Sequence, residues 1–136
     1  MSGNRHSYMR TYRPELKFKN EQEFKTWWIS SQRGTCPPPR AFFEIENEEK
    51  EPGFPDTLLV NADNRALFFE FKVAYKSGRF TMEPTQPRFF KEHPNLSIFV
   101  VVWDVEESME YVIGADTIAD KVLEKSSLTL NVRKMA

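Results

Sequence analysis

Apolar residues recur along this chain with two periods, and each period marks an element. Phe24, Trp27 and Trp28 fall at i, i+3 and i+4, one stripe of a helix. Asn20 stands ahead of that stripe and Glu23 sits at the third helical position, a capping-box-like start. Gly34 and then Cys36, Pro37, Pro38 and Pro39 cannot continue it, so a helix is predicted over about 20–33. Strands are predicted over residues 41–46, 56–60, 66–73, 96–103 and 109–113. The stretch 96–103 is apolar enough to be buried on both faces. Residues 47–53 read as an acidic loop and 61–65 as turn chemistry. A short helix over 85–93 ends at Pro94. Residues 116–125 carry Ile118, Val122 and Leu123 at helical spacing, with Asp116 as the cap. The predicted order is α-β-β-β-α-β-β-α, an α/β fold with a mixed sheet flanked by helices.

Residues 1–19 are polar, basic and dotted with aromatics, and are expected as a flexible arm. Residues 20–136 are expected as one domain, which the length of 136 suits. Hydrophobic residues at 40% and charged residues at 29% argue against wholesale disorder. The single Cys36 excludes an intramolecular disulfide framework and a cysteine-based zinc cluster. No apolar run approaches the roughly 20 residues that span a bilayer. Residues 1–10 are charged and lack the apolar stretch of a signal peptide. A cytoplasmic, reducing setting without a membrane partner is therefore expected.

The net charge of −1 speaks at first against a nucleic-acid partner. The charges are segregated, however. Residues 1–19 set Arg5, Arg10, Arg13, Lys17 and Lys19 against Glu15, a net of +4. Residues 72–91 set Lys72, Lys76, Arg79, Arg88 and Lys91 against Glu83, again +4, while 44–56 are strongly acidic.

A turn centred on Asp63 would make residues 56–60 and 66–73 a hairpin. Leu58 then faces Phe68, Val60 faces Ala66, and Asp56 faces Glu70. Glu70 and Lys72 share one face, and Phe69, Phe71 and Val73 take the other. Two opposed carboxylates roughly 5 Å apart at Cβ repel and need compensation. Lys72 offers it as a local ion pair. A hard divalent cation such as Mg²⁺ offers it as well.

Pro55-Asp56 followed by Glu70-Phe71-Lys72 resembles the signature of the PD-(D/E)XK nuclease superfamily. Gly53-Phe54-Pro55-Asp56-Thr57-Leu58-Leu59 and Phe69-Glu70-Phe71-Lys72 look like the two strands of virus-type replication-repair nuclease domains. Gly78-Arg79-Phe80, then Gln86 and Phe89-Phe90, look like their glycine turn and Gln-x-x-aromatic helix. Glu23 before Phe24 is similar to a further acidic position of that family. The resemblance spans about 20–124. It implies a restriction-endonuclease-like core and metal-dependent hydrolysis of DNA. Asp56 and Glu70 would be metal-ligating carboxylates, the Phe71 backbone carbonyl a further ligand, and Glu23 a completing acid. Lys72 would orient water or stabilise developing charge. Gln86 would position the substrate backbone or Lys72. The spacing between Gly78 and Gln86 is longer than the family's, and Pro87 directly follows Gln86.

Each site residue has an ordinary reading beside this one. Asp56 suits a turn after Pro55, Glu23 a capping box, and Gln86 an exposed helix start. Glu70 and Lys72 resist it, because charge in an apolar strand is costly unless paired or functional. Lys76, Arg79 and Arg88 read as phosphate contacts, against a solvated charge run. Glu44 and Glu46 suit a solvated strand face. His6, His93 and Cys36 show no catalytic or ligand spacing, and Trp27-Trp28 suits core or interface.

The expected activity is Mg²⁺-dependent endonucleolytic cleavage of DNA, with Mn²⁺ able to substitute. Branched DNA such as a Holliday junction is the favoured substrate, in replication, recombination or repair, by analogy with small nucleases of the superfamily. A homodimer would suit paired cuts. The alternatives are a less selective flap- or end-processing nuclease and a non-catalytic nucleic-acid-binding or assembly module.

Overall fold

A strand buried on both faces needs a layer of helix or loop on each, and residues 98–104 set that arrangement here. The computed structural model describes residues 8–45, 52–122 and 129–135. In chain order the elements are β1 (Tyr8–Tyr12), α1 (Glu21–Arg33), β2 (Ala41–Glu44), β3 (Thr57–Val60), β4 (Ala66–Ala74) and β5 (Arg79–Thr81). There follow α2 (Thr85–Glu92), β6 (Ile98–Asp104), β7 (Met109–Gly114), α3 (Ala115–Val122) and β8 (Thr129–Asn131). A 3₁₀ turn, Val132–Lys134, closes the described chain.

Six strands form one mixed sheet in the order β1-β7-β6-β4-β3-β2, with β4 and β6 parallel and the other neighbours antiparallel. β5 and β8 form a separate antiparallel pair. All seven residues of β6 are buried, as its unbroken apolar run predicts. Ile98, Val100 and Val102 join Phe89 and Phe90 of α2 and Ile118 of α3 in one core. Phe99, Val101 and Trp103 join Phe24 and Trp28 of α1 and Phe69 and Phe71 of β4 in the other. Alternation along one strand thus feeds two cores, one on each face of the sheet. Among the described residues, no helix is long and apolar enough to cross a membrane.

Three expectations change. Residues 8–19 are not an arm: β1 pairs with β7 from Tyr8↔Ile113 to Tyr12↔Met109. Leu16 and Phe18 then pack on the α1-side core, with the Phe18 ring 5.0 Å from Trp103. The reason is a partner distant in sequence, which supplies the ladder bonds that a short polar edge strand cannot advertise. Second, β5 and β8 have three residues each, too few for a period to show. Third, the order gains β1, β5 and β8 around the expected elements. Residues 1–7, Glu46, the loop positions 47–51 and positions 123–125 of the expected last helix lie outside the described residues.

Candidate active site

The β3–β4 hairpin has the expected register, with Leu58↔Phe68 and Val60↔Ala66. Its turn is set by Asn61, whose side-chain oxygen accepts from Asp63 N–H at 3.0 Å and Arg65 N–H at 2.9 Å. Asn64 takes the left-handed conformation, φ 64°. The observed pairing ends at Thr57↔Phe69; one further step of the same register would set Asp56 across from Glu70. β3 stops at Thr57, whereas β4 runs on to Ala74 with β6 as its sheet neighbour. Residues 70–74 therefore extend past the end of β3, and the chemistry gathers there.

Glu70 is buried at 6% exposure. Lys72 Nζ lies 4.0 Å from Glu70 Oε2. Asp56 is half-buried and accepts from Thr57 Oγ1 at 3.0 Å. Phe71, between Glu70 and Lys72, is fully buried, with Phe24 and Trp28 edge-on against it. That packing fixes β4 where its neighbours must present charge.

Two further residues join from α1, and the sequence reading missed both. Lys25 is buried at 7%, with Nζ 3.5 Å from Glu44 Oε1 and 3.9 Å from Asp56 Oδ2. Glu21 stands one turn earlier, on the same helix face. It is exposed as a residue, yet partial burial of its carboxyl pushes its pKa up. Lys72 opposes that rise, Asp56 adds to it, and Lys25 opposes it. Glu21, Lys25, Glu44, Asp56, Glu70 and Lys72 thus form one mixed-charge cluster. The available signal was the pairing of Glu21 with Lys25 at i, i+4, flanking the buried Phe24.

Glu23 is used differently. Asn20 Oδ1 accepts from Glu23 N–H at 2.9 Å, and Glu23 Oε1 accepts from Lys19 N–H at 2.8 Å. This is the capping alternative, with the return bond made to the residue before the cap. Positions 21 and 23 lie roughly 200° apart around a helix, so only one of the two can look toward Asp56. Gln86 also has a local partner: its side-chain oxygen accepts from Glu83 N–H at 3.3 Å at the start of α2. α2 nevertheless abuts the Asp56 loop. A Cβ on Gly53 (φ 87°) would clash with the Thr85 carbonyl oxygen. Phe54 packs edge-on against Phe68 and Phe89. Lys76, Arg79 and Arg88 are exposed.

Neither a protein-family model nor a curated protein matches this chain.

Chemical fit to a divalent metal rests on the donors themselves. Asp56, Glu70 and Glu21 offer hard carboxylate oxygens of the kind Mg²⁺ or Mn²⁺ takes. Among the described residues, no three carboxylate or imidazole groups converge into a formed ligand set. Lys25 and Lys72 instead compensate the opposed acids. Donor type fits, and the lysine ammonium groups stand beside Asp56 and Glu70. A concavity of about 440 Å³ lies elsewhere, between α1 and the sheet beside the Arg13–Glu110 pair. None of Asp56, Glu70 and Lys72 lines it.

Proposed function

We propose that this protein is a metal-dependent endodeoxyribonuclease with a PD-(D/E)XK-type, restriction-endonuclease-like core, selective for branched DNA such as a Holliday junction. The observation that supports it is the hairpin register. Continued one step beyond Thr57↔Phe69, it would bring Asp56 across from buried Glu70, with Lys72 4.0 Å from Glu70, in a strand otherwise made of apolar residues. Asp56, Glu70 and the Phe71 carbonyl are the groups that would hold Mg²⁺ or Mn²⁺. Glu21 rather than Glu23 is our choice for the helix carboxylate, since Glu23 serves the cap. The bound ion would lower the pKa of its water and offset charge on the scissile phosphate. Lys72 supplies a fixed cation where negative charge develops. Lys25 holds Asp56 while offsetting its charge. Lys76, Arg79 and Arg88 contact flanking phosphates.

One observation favours a non-catalytic nucleic-acid-binding module instead. The ion pairs Lys25–Asp56 and Lys72–Glu70 satisfy both acids without a metal. The two readings part on a panel of labelled linear, flap, fork and four-way DNA with Mg²⁺ or Mn²⁺. We expect cleavage of branched substrates that EDTA stops. Lys72→Ala should cut at least about 100-fold more slowly, the scale of losing one electrostatic stabiliser, while binding the junction as before. Wild-type protein that binds the junction and never nicks it with either metal establishes the binding module.

A further inference from the structure

β4 leads directly from the carboxylate cluster into a second concavity. It has a volume of about 460 Å³, and Val73, Tyr75, Lys76, Arg79, Phe80 and Thr129 are among its walls. Pockets for small groups run roughly from 300 to 1,000 Å³, so a nucleotide-sized group fits. Tyr75 is 56% exposed, a large ring left facing water. Lys76 and Arg79 are exposed on the same rim. An exposed aromatic ring and two exposed cations lining one concavity match a base and its flanking phosphates.

The rim loop is tied to its neighbours by hydrogen bonds and close packing. Ser77 (φ 57°) and Gly78 (φ 71°) are both left-handed, and a serine there persists only when its surroundings enforce it. Ser77 N–H donates to Glu106 Oε1 at 2.7 Å, and Val132 N–H donates to the Gly78 carbonyl at 2.8 Å. Arg133 donates twice to fully buried Asp104, at 2.8 and 3.2 Å, and packs where a Gly78 side chain would stand. The chain's last described turn thus fixes the loop that carries Tyr75, Lys76 and Arg79. A pre-organised rim binds without a large ordering cost.

We propose that this concavity is a subsite for one unpaired nucleotide of DNA, its base stacked on Tyr75 and its phosphates met by Lys76 and Arg79. The link to a cut nearby rests on the nuclease reading, whereas the binding needs no hydrolysis. Tyr75 follows Lys72 by three residues, within about 10 Å of extended chain. Only an unpaired base presents a free face there, so the subsite favours forks, flaps and branch points over continuous duplex. Stacking reads no sequence, since every base has such a face.

The test is binding by fluorescence anisotropy with the full chain in EDTA. The probes are a short labelled oligothymidylate, a strand of abasic sites of equal length, and a duplex. Tyr75→Ala should weaken oligothymidylate binding roughly tenfold, the effect of one base–aromatic stack. Tyr75→Phe should bind as wild type. On the abasic strand and the duplex, Tyr75→Ala and wild type should agree. The inference is overturned if Tyr75→Ala binds oligothymidylate normally, if the loss is equal on the abasic strand, or if wild type does not bind oligothymidylate. Failure of the nuclease reading has a separate signature: Tyr75-dependent binding persists while neither metal supports cleavage of any substrate.

Discussion

Glu21 shows how one carboxyl reports on its surroundings. Burial raises its pKa from an ordinary 4.5, Asp56 raises it further, and Lys72 and Lys25 pull it down without cancelling the rise. A raised native pKa means that the folded chain holds this proton more tightly than the unfolded chain does. The benefit is full below the unfolded pKa and fades as pH rises through the native one. Above that window the ionised group leaves the fold less stable than a neutral group would. Glu21→Gln should therefore raise the melting temperature at about pH 8, with the gap closing at about pH 4. Thermal unfolding followed by circular dichroism across that range checks it. A gap that widens toward acid would mean that the pull of Lys72 and Lys25 outweighs burial and Asp56.

Elements were legible where local chemistry decides them. In α1 the cap and the apolar stripe are neighbours in sequence, and the capped helix forms as read. Asn20→Ala removes the oxygen that accepts from Glu23 N–H. It should lower unfolding free energy by about 1 kcal/mol, visible as a lower urea midpoint with unchanged slope. A change well under half of that would mean that Glu23 and Lys19 hold the helix start alone. The β3–β4 register was equally local, because Asn61 pins the turn and the pairs from Val60↔Ala66 to Thr57↔Phe69 follow by counting. β1 was not, since its partner β7 begins about a hundred residues later and only tertiary pairing reveals it. The choice between Glu21 and Glu23 was hidden for another reason. Both acids open the same helix, and its rotation is settled by Phe24 and Trp28 entering the core. Lys25 escaped notice because a lysine in a helix normally faces water. Here it reaches Glu44 and Asp56 across the sheet edge.

At the scale of the molecule, a net charge of −1 conceals how differently the cations are used. Arg13 is bound to buried Glu110 at 2.7 Å and lies over the Trp27 ring at 5.0 Å. Glu110 also accepts from Trp28 Nε1–H at 3.1 Å, so this pair ties the chain after β1 and α1 to β7. Arg133 is committed to Asp104, Glu106 and Glu107. Lys76, Arg79 and Arg88 stay exposed near the end of β4 and along α2. Counterion release makes this division measurable. Each phosphate contact contributes about 0.7 to the slope of log affinity against log salt for a single strand, and about 0.9 for duplex. Lys76→Ala combined with Arg79→Ala should flatten the slope for a forked DNA by roughly 1.5. Arg13→Ala should leave that slope unchanged and lower the melting temperature, because Glu110 loses a charged partner and Trp27 its cation. Titrations at several salt concentrations, paired with thermal unfolding, separate the two effects. Equal flattening by both variants would mean that phosphates meet a diffuse basic surface rather than the rim around Tyr75.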